Sequence, residues 1–384
     1  MLPEPAVALR EPHRRAPLRV ADVALFYGER GGGIRTYLDA KAVFAARTGL
    51  FEHHLVVPGR PAHAGEHGRP ETAGAPHRHE QPSLQLAASN GYRIPLGSAG
   101  LQATLRELAA DVVLLHDPYW TPRLASRAAH KSGAAVVAVH HSSAALHAAG
   151  LPGPQGVYVR ALRRWYRRAY LDVDAVMSVV DPGPDTQRPS TLPLRLGLDP
   201  AFRPRPGIAR GDHVLYVGRL SREKGLRELL EATATASEPW PLVLLGTGPA
   251  ADTLAERARQ LRLGARVRFA PYLVNREALA DEYARARCVV LPGAHETFGL
   301  AALEAAACGV PVVTADTTPS AILLDGLVDT FPAGNASDLQ AAIERARRRR
   351  ADPSAATSLV RRHSWEAALS AEFADLQRLV DRRA

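Results

Sequence analysis

Sulfur is scarce in this 384-residue chain, which has two cysteines and two methionines. Cys288 and Cys308 are too few for a disulfide framework and stand among apolar neighbours, so a reducing compartment or plain core packing is the reading, with no redox role assigned. Long apolar runs are missing too. No stretch reaches the roughly 18 consecutive apolar residues of a membrane-spanning helix. The opening MLPEPAVALREPHRRAPLR, broken by prolines and charges, lacks the apolar centre of a signal peptide. A cytoplasmic protein is expected, with peripheral contact at the inner face of a membrane left open. Acidic residues are outnumbered, 39 Asp and Glu against 48 Lys and Arg. The resulting pI near 9.9 favours anionic partners. Nucleic acid is not expected among these partners.

What is present suits a folded protein: 46% hydrophobic and 23% charged residues. The length exceeds what one hydrophobic core fills, so two domains are expected. Short apolar runs alternate with helix-sized segments from Leu18 onward, with strands predicted at Leu18 to Tyr27, His54 to Val57, Val112 to His116, Ala135 to His140 and Ala175 to Val179. A proline-rich passage, Pro182 to Pro206, reads as a hinge. A second series then runs through Leu242 to Gly246, Val267 to Phe269, Cys288 to Leu291 and Val310 to Thr314, interleaved with helices that include Leu300 to Ala307. This is an α/β pattern of two parallel sheets, each covered by helices. The expected division is residues 1–200, residues 201–364, and a closing helix within 365–384 that packs back near the junction.

Between Pro58 and Pro82 the composition of Pro, Gly, Ala and His predicts a surface loop. It holds His63, His67, His77 and His79, but no cysteine or carboxylate set accompanies them on a rigid element, so no metal is expected there.

The strongest local signal is Gly218-Arg219-Leu220-Ser221-Arg222-Glu223-Lys224-Gly225, directly after an apolar strand and leading into a helix. A strand-to-helix turn presents backbone N–H groups and the positive helix end at the carboxyl edge of a parallel sheet. Arg219 and Lys224 can converge there on a diphosphate; a solvated basic turn is the alternative. A second signal, PGAHETFGLAALEAAACGVPVV, places Glu296 and Glu304 eight residues apart with a turn and a helix start between them. Free amides at Phe298, Gly299 and Leu300 suit a phosphate or sugar oxygen, and Glu304 suits a pair of ribose hydroxyls. Read structurally instead, Glu304 is a paired buried acid.

With both segments in this order, GRL-x-x-EKG and then E-x7-E running into EA-x-A-x-G-x-PVV, the chain resembles the GT-B retaining glycosyltransferases of family 4. The resemblance implies two Rossmann-like domains facing each other across a cleft, with an acceptor side at residues 1–200 and a nucleotide-sugar donor side at residues 201–364. It implies that Arg219 and Lys224 grip the donor diphosphate, that Glu304 binds the ribose, and that Glu296, Thr297, Phe298, Gly299 and Leu300 cradle the donor sugar and phosphate. Gly218, and the Gly246-Thr247-Gly248-Pro249 turn, fall beside the nucleotide. Gly32 and Gly33, within Gly31-Gly32-Gly33, match the glycine loop that faces the diphosphate from the first domain. His140 matches a functional histidine near the donor sugar, with His141 as the alternative in the doublet. Arg219, Lys224, Glu296 and His140 are thus the implied catalytic set.

The implied reaction moves a hexosyl group from a nucleotide diphosphate sugar, a UDP- or GDP-sugar of the glucose or mannose type, to a hydroxyl of a glycan, lipid-linked or small-molecule acceptor. No cofactor or metal is expected: the growing diphosphate charge is met by cationic side chains and helix-start amides. A sugar-nucleotide epimerase and a non-catalytic sugar-nucleotide-binding protein are the rival readings on the same fold. Finally, Arg160, Arg163, Arg164, Arg167 and Arg168 share one helical face, with Leu162, Trp165 and Ala169 on the other, which suits a solvated face or an anionic membrane. The Arg347 to Arg350 run reads the same way.

Overall fold

A computed structural model describes residues 17–25, 27, 33–59, 77–85, 93–116, 122–141, 143–149, 151, 153–180, 190–296, 299–324, 326–350 and 352–383. The first half contributes strands β1 (Leu18–Val23), β2 (Phe51–Gly59), β3 (His77–Gln85), β4 (Arg93–Pro95), β5 (Val112–Leu115), β6 (Ala135–His140), β7 (Ala175–Ser178) and β8 (Thr191–Pro193). Its helices are α1 (Gly33–Thr48), α2 (Ala99–Leu108), α3 (Pro122–Lys131), α4 (Ala144–Ala149) and α5 (Gln155–Ala169). The second half contributes β9 (Val214–Val217), β10 (Leu242–Leu245), β11 (Val267–Ala270), β12 (Cys288–Leu291), β13 (Val312–Ala315) and β14 (Val328–Phe331). Between and after them come α6 (Leu226–Thr235), α7 (Ala251–Gln260), α8 (Arg276–Arg285), α9 (Leu300–Ala307), α10 (Pro319–Leu323), α11 (Ala336–Arg348), α12 (Pro353–Arg362) and α13 (Trp365–Asp381).

Two sheets result, ordered β4-β3-β2-β1-β5-β6-β7-β8 and β11-β10-β9-β12-β13-β14. Every pairing is parallel except β3 with β4. A parallel strand covered on both faces has no wet side, which is why β5, β9, β10 and β12 are apolar at every position and wholly buried. The order reverses between β1 and β5 in the first sheet and between β9 and β12 in the second. These switch points open a crevice at the carboxyl ends of the strands, and ligands of open α/β sheets bind in such crevices.

Two predicted loops differ from the structure. The segment read as a loop from Pro58 to Pro82 ends in β3, whose polar sequence HRHEQPSLQ hides a strand that pairs His54 with His77 and Val56 with His79. His63 and His67 lie outside the described residues; His79 and His54 meet through their rings, Nε2 to Nδ1, at 3.1 Å. The proline-rich hinge passage likewise contains β8, which completes the first sheet beside β7 before the chain crosses over.

The last described helix, α13, packs against α1 of the first half and reaches Phe51 of β2. Phe373 stacks on Phe51 at 5.5 Å. Tyr37 donates to Glu372 at 2.6 Å, and Lys41 lies 2.9 Å from the same carboxylate and 3.0 Å from Asp22. All four polar side chains are buried. Burial alone disfavours the Asp22 charge, but Lys41 and the bonds from His116 and His53 outweigh it and hold the carboxyl well below its ordinary range. Breaking such a buried pair costs about 3–5 kcal/mol, because the surviving charge has no water to turn to.

Candidate functional site

The second sheet brings the two sequence signals to one place, because β9 and β12 are neighbours at the switch point. From β9 the chain turns through Gly218 to Gly225, with a single 3₁₀ turn at Arg222–Lys224. From β12 it turns through Pro292 to Glu296 toward α9. Backbone touches backbone between these turns: a Cβ on Gly225 would lie 2.6 Å from the Pro292 carbonyl oxygen. The consequence is that Lys224 Nζ donates to Glu296 Oε2 at 2.7 Å, with side chains 20% and 12% exposed. Arg219 is exposed, and its guanidinium makes no ion pair among the described residues.

Gly299 caps the start of α9 at φ +82°, left-handed backbone that a residue with a Cβ resists. The Leu300 and Ala301 amides follow it at the sheet's carboxyl edge, whereas those of Ala302 and Leu303 already donate to the Gly299 carbonyl at 2.8 and 3.2 Å. Thr297 and Phe298 lie outside the described residues, as does Gly32. Gly33 opens α1 opposite this point; a Cβ on it would meet Leu300 Cδ1 at 3.4 Å, so the two helix starts face each other across the crevice.

Glu304, one turn into α9, is buried. Burial pushes its carboxyl up to about 7, against the opposing pull of Arg276 and the hydrogen bond from Tyr283, whose hydroxyl donates to Oε2 at 2.9 Å. Arg276 Nη1 stands 3.8 Å from Glu304 Oε1, and its other nitrogen, Nη2, donates to Thr36 Oγ1 of α1 at 3.2 Å. Arg276 therefore links this carboxylate to the facing domain. Nothing in the local sequence at Arg276 signals that role, since its partners lie far away in the chain.

The Gly246–Pro249 turn has a packing reason for its glycines. A Cβ on Gly246 would lie 1.9 Å from the Gly218 carbonyl oxygen, and one on Gly248 would lie 2.2 Å from that of Leu220. The Leu220 amide donates to Thr247 at 2.9 Å, which ties the turn after β10 to the turn after β9.

In the first sheet the histidine doublet is split. His140 is buried; its Nδ1 lies 3.2 Å from the Tyr170 hydroxyl, and its ring sits edge-on to Tyr166 and Tyr170 beneath α5. His141 turns the other way, its Nε2 2.8 Å from Nδ1 of His116, which stands at the carboxyl end of β5. Burial, then the neighbouring imidazoles, hold His141 well below the usual histidine range.

The arginine face needs correction. On α5 the buried residues are Tyr166 and Ala169, whereas Trp165 and Val157 are about half exposed, beside exposed Arg160, Arg164 and Arg168. The Arg347 to Arg350 run is partly absorbed within the second domain: Arg347 pairs with Asp212 at 2.9 Å and lies over Trp240, and Arg349 pairs with Asp329 at 3.0 Å. The expectation of no metal goes with the absence of an acidic D-x-D triplet, but the chain contains one, Asp172-Val173-Asp174. It precedes β7, away from the strands' carboxyl ends, and its carboxylates are engaged by Arg123, Arg127, His130 and Arg383.

The chain is similar to known proteins over most of its length. The family model described as Glycosyl transferases group 1 matches residues 201–354, and that described as Glycosyltransferase Family 4 matches residues 31–181. The chain is 30% identical over 318 residues to a GDP-mannose-dependent alpha-(1-6)-phosphatidylinositol dimannoside mannosyltransferase of Mycobacterium tuberculosis, covering 78% of this chain and 80% of that protein. Its fold matches that of sucrose-phosphate synthase from Thermosynechococcus elongatus, with a TM-score of 0.71 at 18% identity over 96% of this chain and 100% of that one. It also matches Anabaena HepE, solved in complex with UDP-glucose, with a TM-score of 0.69 at 16% identity over 94% of this chain and 99% of that one.

Proposed function

This chain belongs to glycosyltransferase family 4, and on that premise we propose that it transfers a hexosyl group from a nucleotide diphosphate sugar to an acceptor hydroxyl with retention of anomeric configuration. The donor is a UDP- or GDP-sugar of the glucose or mannose type; the mannosyltransferase relative and the HepE complex support that pairing. The acceptor is a glycan, a lipid-linked sugar or a small molecule. The observation that carries the reading is the meeting of the Arg219 turn, the Lys224–Glu296 pair, the α9 start and Glu304 at the second sheet's switch point.

Each residue has a physical task there. As the glycosidic bond breaks, negative charge grows on the diphosphate, and Lys224, exposed Arg219 and the α9 amides stabilise it more than they stabilise the ground state. Glu296 already holds Lys224 in place, so little reorganisation is left for the reaction itself. Glu304, whose carboxyl burial pushes up to about 7, receives the ribose hydroxyls in its ionised form. No metal is needed in this scheme, because the cationic groups do the work. Residues 201–364 hold the donor, residues 1–200 face the acceptor, and the helix within 365–384 ties the two.

No helix among the described residues is long and apolar enough to cross a membrane. A cytoplasmic enzyme that touches an anionic membrane surface through α5 fits exposed Trp165 and Val157 among exposed arginines. The test of the transfer reading is a thermal-shift and product screen against UDP-, GDP-, ADP- and dTDP-sugars, repeated with Arg219→Ala and Glu304→Ala. Stabilisation by one nucleotide class, lost in both variants, with an anomer-retained product by NMR, is expected. A donor that stabilises wild type and both variants equally refutes the site.

A further inference from the structure

The first sheet's own switch point carries a chain of titratable side chains outside the second sheet's turns. Asp22, buried within β1, lies 2.7 Å from His116 Nε2 and 2.8 Å from His53 Nε2, and accepts from Lys41 Nζ at 3.1 Å. His116 Nδ1 in turn lies 2.8 Å from His141 Nε2, the two rings tilted by 21°. The direction of each bond follows from the carboxylate end. Asp22 accepts, so His53 and His116 both present Nε2–H to it. His53 is then left with a lone pair at Nδ1, and that atom is buried with no partner among the described residues, a smaller cost than an orphaned N–H. With His116 donating to Asp22 from Nε2, the lone pair of a singly protonated ring lies at Nδ1. His141 must therefore donate from Nε2, and its own Nδ1 is an acceptor.

His141 stands between β6 and α4, and α4 packs against the Arg222–Lys224 turn of the second sheet. The end of the chain is thus at the crevice, opposite the donor-site cations. We propose that Asp22 and His116 are positioning residues: they fix His141 as the Nε2–H tautomer, so that its Nδ1 receives a hydrogen bond from a sugar hydroxyl in the crevice. The identity of that hydroxyl rests on the transfer reading; the tautomer does not.

Two measurements test this, both on the full chain. Ring ¹⁵N NMR is expected to show His141 locked as Nε2–H in the wild type and mixed between tautomers in His116→Leu. In kinetics, His141→Leu is expected to lower kcat about a hundredfold, with nucleotide affinity within about threefold of wild type. His141→Asn, whose amide oxygen takes the place of Nδ1, recovers about tenfold of that loss. If transfer falls while donor hydrolysis persists, the hydroxyl is the acceptor's; if both fall together, it is the donor sugar's. An Nδ1–H tautomer in the wild type, no change in His116→Leu, or a His141→Leu kcat within about threefold of wild type overturns the proposal. Should His116→Leu fail to fold, the wild-type tautomer and the His141 pair still decide. If no nucleotide sugar turns over, the transfer reading fails, while the ring tautomers still report on the relay.

Discussion

Tyr283 donates its hydroxyl to Glu304 at 2.9 Å, to a carboxyl that burial has pushed up to about 7. Between the ordinary carboxyl value and about 7, the folded chain binds more protons at this site than the unfolded chain does. Stability of the unliganded protein therefore falls as pH rises through that window, by at most about 3 kcal/mol. Glu304→Gln carries no such charge. It is expected to match the wild type near pH 5 and exceed it near pH 8 in denaturation midpoint, while losing nucleotide affinity. Identical pH dependence in the two proteins would show that Glu304 ionises freely before the donor arrives.

Lys224 and Glu296 form a partly exposed pair, so its direct contribution to folding is about 1 kcal/mol or less. Its contribution to the reaction is expected to be larger. Lys224→Met should lower kcat about a hundredfold or more with a melting temperature close to wild type, and Glu296→Gln added to it should cost much less than it does alone. Independent, multiplying losses in a double-mutant cycle would mean that the two side chains do not act as one unit.

Gly246 sits at φ +154° with the Gly218 carbonyl oxygen where a Cβ would go. Gly246→Ala has to separate the turns after β9 and β10, and is expected to cost at least about 2 kcal/mol through backbone strain. Because the β9 turn carries Arg219 and Lys224, the displaced variant should also bind nucleotide more weakly. An unchanged melting temperature and affinity would mean that the turns separate without cost.

The α5 surface gives a prediction with a different readout. Removing Trp165 and Arg164 together should reduce co-sedimentation with vesicles containing anionic lipid, each arginine near such a surface contributing about 1 kcal/mol. Neutral vesicles serve as the control. Equal recovery of variant and wild type with anionic vesicles would return α5 to an ordinary solvated helix.

The legible parts of this fold are those where a local pattern carries its own meaning. β6, β12 and α9 have the bounds that their apolar runs predict, because a buried parallel strand and an alanine-rich helix leave no polar residues to confuse them. β3 was not legible: its partners make it a strand, and its own residues are mostly polar. The histidine doublet shows the same limit at one position. Alternate strand residues face opposite sides of a sheet, so a register of one decides whether His140 meets Tyr170 or the crevice, and two adjacent histidines carry no register mark. Arg276 with Thr36, and Asp22 with His116, are joined only by tertiary packing. Lys224 and Glu296 each stand in a segment that the sequence singles out, but their direct pairing follows from β9 and β12 being neighbours, which neither segment announces.

The partner that the Tyr37 hydroxyl finds in Glu372 lies 335 residues downstream. During synthesis, then, Lys41 and Asp22 stand in an unfinished first domain until α13 has left the ribosome. The two halves are not modules that can be cut apart at the proline-rich crossing and expressed singly. A shortened or bulky C-terminus would strike at the base of the first sheet, and a swap of halves between relatives would have to carry α13 with the N-terminal partner.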